Sequence, residues 1–228
     1  MTLRSLLSPQ IALAIALSLP AHGQGRAVDE GTFVLSRAGT QIGSESFQLV
    51  RMPGTQLMRI TAQQTVGDHR IRSMLTADSL GTPQAYNVTV KTGNATELTL
   101  NAAGAAGRLS SMSNDKGGNE SMKEYVVAPG ATVVLDEEVV SHYYFVALHR
   151  RGGAIKVIVP RLGRDVSASL SPGGLESIDV GGRSVTATKY TLSGGGAGAR
   201  ELWVDAAGRV LRVSLPGGVI AAREELPR

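Results

Sequence analysis

The chain runs to 228 residues with 23 Lys and Arg against 19 Asp and Glu, a formal net charge of +4, and no cysteine. A charge this near balance argues against a nucleic-acid partner in spite of a pI near 9.6, and the missing thiol excludes a disulfide framework, cysteine catalysis and a lipid-bearing cysteine. With 28 Gly and only 4% aromatic residues, the composition points to many tight turns around a core of Val, Leu, Ile and Ala.

Arg4 is the one charge before Arg26, and it precedes an apolar stretch over 11–19 broken only by Ser18. Ala21 and Gly23 then supply the small residues of a cleavage site ahead of Gln24, which is the order of a secretory signal. About nine apolar residues fall short of the roughly 20 that cross a bilayer as a helix. Residues 1–23 are therefore expected to be a cleaved signal peptide, and 24–228 a single exported, periplasmic domain. An uncleaved 11–19 segment acting as a tether is the competing reading.

Beyond the signal, apolar and polar residues alternate over 32–37, 45–51, 56–66, 70–78, 85–91 and 96–101, the period of strands with one buried face. Turn signals separate them: Ala38-Gly39, Pro53-Gly54, Gly67-Asp68, Gly81-Thr82-Pro83 and Gly93-Asn94. Residues 102–120 are small, polar and glycine-rich and read as a long mobile loop, with a short strand at 108–110. Over 136–150, Val139, Val140, Tyr143, Tyr144, Ala147 and Leu148 recur at helical spacing behind Asp136 as N-cap, with Glu137 and Glu138 in the first turn and His149 and Arg150 in the last. Strands are again expected at 155–159, 166–170, 176–180, 184–192, 199–205, 210–215 and 219–223. The fold class that follows is mainly β: a curved antiparallel meander sheet, as an open barrel or β-roll, with one helix packed on or into it.

The helix holds the densest chemistry. Tyr143, Tyr144 and Phe145, with His142 beside them, either line the mouth of an apolar ligand cavity or pack the helix onto the sheet. His142 and His149 stand two helical turns apart, about 10.5 Å by helical rise, too far to share a metal ion. After the helix, Arg150, Arg151, Lys156, Arg161 and Arg164 run without a carboxylate until Asp165. Such a run suits phosphates of lipid headgroups or an acidic protein face, or else a solvated strand edge.

Enzyme motifs are weak. Ser113-Asn114-Asp115-Lys116 and Lys91-Thr92-Gly93 match the Ser-x-x-Lys and Lys-Thr-Gly elements of penicillin-recognising enzymes, in reversed order and with the serine in a polar loop. Neither a Gly-x-Ser-x-Gly elbow nor a His-Glu-x-x-His helix occurs. The glycine run at 194–198 lacks the Lys and Ser or Thr that would make it a phosphate cradle. Paired acids at Glu137-Glu138 and Glu224-Glu225 leave a glycosidase open as a third reading.

From Gly152 onward the segments Ile155-Lys156-Val157-Ile158-Val159-Pro160, Val180-Gly181-Gly182-Arg183, Glu201-Leu202-Trp203-Val204-Asp205 and Gly208-Arg209-Val210-Leu211, with the hairpin Phe33-Val34-Leu35 to Phe47, carry a resemblance. The chain resembles a group of exported bacterial proteins classed as a domain of unknown function, more distantly similar to periplasmic and outer-membrane lipoprotein-carrier folds. That resemblance implies a curved antiparallel sheet wrapped around a helix, working in the cell envelope, with no catalytic residues to carry over. The expected function is a non-catalytic periplasmic protein that binds an apolar or amphiphilic envelope component, without cofactor or metal. The alternative is an accessory subunit that docks on an envelope complex through sheet edges and the basic segment.

Overall fold

In a computed structural model of the chain, residues 25–136, 138–194 and 198–227 are described. The expected signal peptide, Glu137 of the expected helix and residues 195–197 of the glycine run lie outside them.

The first half is a run of hairpins: β1 (Arg26–Arg37), β2 (Thr40–Arg51), β3 (Met58–Val66), β4 (His69–Ala77), β5 (Pro83–Thr92), β6 (Ala95–Ala105), β7 (Arg108–Asp115) and β8 (Glu120–Val126). A short β9 (Thr132–Val134) leads into a 3-10 turn (Val140–His142) and α1 (Tyr143–Ala147). The second half is β10 (Gly153–Val159), β11 (Arg164–Val180), β12 (Arg183–Gly194), β13 (Arg200–Val204), β14 (Val210–Leu215) and β15 (Val219–Arg223). All fifteen strands form one sheet, running from β8 at one edge down to β1, then β15 down to β9 at the other. Every neighbouring pair is antiparallel except β9 with β10, which is parallel. The sheet curls without closing, and Lys156 of β10 reaches the Val126 carbonyl of β8 across the seam at 3.1 Å.

Alternation sets the inner face. In β3, Met58, Ile60 and Ala62 are buried between exposed or half-buried neighbours, and Ile71 and Leu75 repeat the pattern in β4. These faces share one continuous core with the helix, whose residues from Val140 to Ala147 are all buried. The helix is therefore packed into the curled sheet, as a plug. A smaller cluster, Ile178, Val180, Ala187, Trp203 and Leu211, forms on the other face of β13, where the Trp203 indole donates to Glu176 at 2.7 Å.

Three expectations need correction. Residues 102–120 are not a loop: β6 extends to Ala105, β7 spans Arg108–Asp115, and tight turns at 106–107 and 116–119 join β7 to its neighbours. Ala106 and Gly107 both take positive φ, 48° and 74°, the backbone a two-residue hairpin turn requires. The helix does not run from 136 to 150: a 3-10 turn takes Val140–His142 and the α-helical part is five residues long, while the Asp136 carboxylate is committed to Tyr86 and Arg161 and caps nothing. The strands expected at 166–170 and 176–180 are one strand, β11, which bulges between Pro172 and Leu175.

Candidate functional site

Three polar knots tie the plug to the curled sheet, each built on a buried acidic residue, two of them, Glu45 and Asp29, set where strand alternation points inward. Glu45 shares its phase in β2 with Phe47 and Leu49, and all three are buried. Its carboxylate accepts the N–H groups of Val140 and Ser141, both at 2.7 Å, and the Gln64 amide at 3.1 Å. Burial pushes the Glu45 carboxyl up to about 7, against those same hydrogen bonds, which favour the charged form.

The second knot is Asp136. It accepts from the Tyr86 hydroxyl at 2.5 Å and from Nε and Nη2 of Arg161, while Nη2 also reaches Glu138 at 2.7 Å. Burial works to raise the Asp136 carboxyl, and the Arg161 guanidinium outweighs it, so the group is held below its ordinary range. The third knot is Asp29, which accepts from Arg223 and from the Tyr144 hydroxyl. Arg223 lies over the Phe47 and Phe33 rings, 4.6 and 5.4 Å from their centroids, and donates to the Glu30 carbonyl at 2.8 Å. Gly31 makes room for it: a Cβ there would sit 2.1 Å from the guanidinium.

Ser73, His142 and Asp136 come together in the interior and invite comparison with a hydrolase triad. The Asp136 backbone N–H donates to His142 Nδ1 at 3.2 Å, so the neutral ring carries its proton on Nε2. That proton points at Ser73 Oγ, 3.4 Å away. A general base needs a bare nitrogen facing the serine, and this tautomer presents the opposite. Burial also drives the His142 pKa down to about 4. Among the described residues, no group of three His, Cys, Asp or Glu could hold a metal ion.

Tyr143, Tyr144, Phe145 and His142 are thus gathered, but in the filled core, and none lines either groove described below. The basic run is dispersed. Arg161 is turned inward onto Asp136, and Lys156 pairs with Asp165 at 2.6 Å. Arg150 and Arg151 are exposed on the turn before β10, and Arg164 is half-buried at the start of β11.

Two grooves remain. One, of about 540 Å³, lies between the first half of β1 and residues 224–226, lined by Asp29, Glu30, Glu224 and Glu225 over Arg223. The other, of about 510 Å³, is apolar: Leu35, Ile42, Val66, Leu215 and Val219 line it, with Arg37, His69 and Glu138 as polar residues at its wall.

Among the described residues several stretches of strand lack a neighbour on one side; the terminal β9 is buried, while β1 before Phe33, β11 beyond Leu170 and β8 differ in how they are guarded. β1 before Phe33 has its Glu30 carbonyl taken by Arg223. β11 beyond Leu170 carries Pro172 and a bulge, two devices that stop edge pairing. β8 carries neither. The Asp115 N–H to Asn119 carbonyl and Val127 N–H to Gly107 carbonyl bonds set the phase of its pairing with β7. By alternation, the backbone groups of Glu120, Met122 and Glu124 point away from β7. The Val126 carbonyl shares that direction and is capped by Lys156. Met122, 79% exposed, stands opposite Met112, 48% exposed, on the outer face of this hairpin. Sequence reasoning missed this edge because the hairpin buries few side chains and shows no steady alternation; the inward-phased Glu45 and Asp29 did leave a readable signal.

No protein-family model matches the chain, and no curated protein matches it in sequence. Among solved structures, a crystal structure of a β-barrel-like protein of the domain of unknown function DUF1849 from Brucella abortus is similar over 89% of this chain and 98% of that one, with a TM-score of 0.57 at 9% identity. At that identity the likeness carries no residue roles across, and what it establishes is a barrel-like β fold shared with a domain of unknown function.

Proposed function

We propose that the chain is a non-catalytic interaction module of the cell envelope, exported by the 1–23 signal, which docks on a partner protein by adding one of the partner's strands to β8. The observation that carries this reading is the contrast between a plugged interior and the β8 edge, which has neither proline nor bulge and is flanked by an exposed methionine pair. Methionine side chains adapt to the shape of what covers them. A photo-cross-linking residue at Met122, tested in the native cell, is expected to give one discrete protein adduct whose mature chain begins at Gln24. The same residue at Leu175, 73% exposed on the guarded edge, is expected to give none. Adducts from both positions, or from neither, would sink the proposal.

A second reading rests on the apolar groove of about 510 Å³, within the size range of small-molecule sites. Here an amphiphile would seat its chain against Leu35, Ile42 and Val66 and its head at Arg37 and His69. Delipidated protein is then expected to take up a fluorescent fatty acid, and Val66→Arg to abolish the uptake. No uptake by the unmodified chain would remove this reading.

A further inference from the structure

Resting on the docking reading, we infer that β8 takes an extended basic segment, with an apolar side chain opposite Met122 and Lys or Arg two residues to either side. An added strand sets its side chains directly opposite those of β8 on the same face, and such pairs are the unit of sheet recognition. On the outer face β8 presents Glu120, Met122 and Glu124, all exposed. Met122 and Met112 occupy a pair whose backbone groups do not bond each other, where side chains come closest, so they form one apolar strip. Glu124 shares its charge with Arg108 at 2.5 Å, while Glu120 makes no ion pair among the described residues. The strip is thus bracketed by two carboxylates, one of them uncompensated.

A second copy of the chain fits this edge poorly. Antiparallel self-pairing keeps faces matched only when it is centred on a residue. Centred on Met122, it sets Glu120 against Glu124; centred on Lys123, it sets two lysines together; centred on Ser121, it sets Met122 against Glu120. Each register costs a like-charge or apolar-to-charge contact. A segment of the form Arg-Thr-Ile-Thr-Arg meets none of these penalties and supplies a cation at each end of the strip.

The test uses the full chain and two blocked nine-residue peptides that differ only in having Arg or Glu at the bracketing positions, followed by fluorescence anisotropy. The Arg peptide is expected to bind and the Glu peptide to bind at least about fivefold more weakly. The double variant Glu120→Lys with Glu124→Lys is expected to reverse that order. Met122→Pro is expected to abolish binding while leaving the unfolding midpoint in place, because the Met122 N–H faces the open edge and β7 does not use it. Equal binding of both peptides, or an order unchanged by the double variant, overturns the inference. An Arg peptide that fails to bind while the Met122 cross-link persists overturns the basic-segment inference alone; loss of both overturns the docking reading with it.

Discussion

Replacing Arg223 by alanine is expected to lower the unfolding free energy by about 3–5 kcal/mol, the cost of leaving one member of a buried ion pair behind. Arg223 is 3% exposed and holds four partners at once: Asp29, Tyr144, and the carbonyls of Glu30 and Val210. Its loss strands the Asp29 carboxylate inside the barrel and uncovers the faces of Phe33 and Phe47. It also removes the guanidinium N–H that the Tyr144 hydroxyl accepts at 3.1 Å, one of the ties between sheet and plug. Removing charge and partners together is far milder. The triple variant Asp29→Leu, Tyr144→Phe, Arg223→Met is expected to recover most of the loss. Urea unfolding of the two variants beside the parent chain checks both expectations, and a cost below about 1 kcal/mol for Arg223→Ala would show that the interior is wetter than the geometry implies.

The second large effect is one that the unmodified chain conceals. Glu45 titrates at about 7 in the fold against 4.5 outside it. The folded state therefore binds more protons between those values, and stability from this site is whole below 4.5 and lost as pH rises to about 7. By linkage the loss is about 3 kcal/mol. His142 does the reverse. Its folded pKa of about 4 lies under the ordinary 6.5, so the unfolded chain binds more protons in that window, and stability climbs by about 3 kcal/mol as pH rises through it. Asp136 beside it is held below its ordinary range and stays ionised throughout. The two slopes oppose each other over nearly the same interval, and the parent chain is expected to be flat between pH 4.5 and 6.5. Glu45→Gln should expose the rising limb, and His142→Asn the falling one. Chemical denaturation at three pH values across that interval reads both; a flat profile for either variant would show that the group left in place titrates alike in the folded and unfolded chain.

The strands that were legible in the sequence are those with one wet face. Residues 210–215 and 219–223 match β14 and β15 because Val213, Leu215 and Ala221 face the core while Arg212 and Ile220 do not. The hairpin of β7 and β8 was illegible for the opposite reason: beyond Leu109, Ser111 and Tyr125 it buries nothing, so no period survives in its side chains. The helical stripe from Val139 to Leu148 was readable, yet a plug is covered on every side, and an amphipathic stripe gives no warning of that. The basic run misled because Arg161 is the partner of Asp136, 25 residues earlier, and spacing along the chain carries no trace of such a pairing. The candidate edge at Met122 is visible only once the sheet order is known.

That order has a consequence in time. Nearly every strand lies beside its predecessor, so most of the sheet can zip up by short-range steps as the chain is made. Among the described residues only β9 does not lie beside its predecessor, and the one pairing that joins the two halves is β1 with β15, where Phe33 pairs with Arg223. The first strand synthesised waits for the last, and the Asp29 carboxylate waits with it for its counter-ion. Until the final residues arrive, each half is a meander with an unsatisfied inner edge, and the closing contact is a ring closure whose entropy falls on nearly the whole chain.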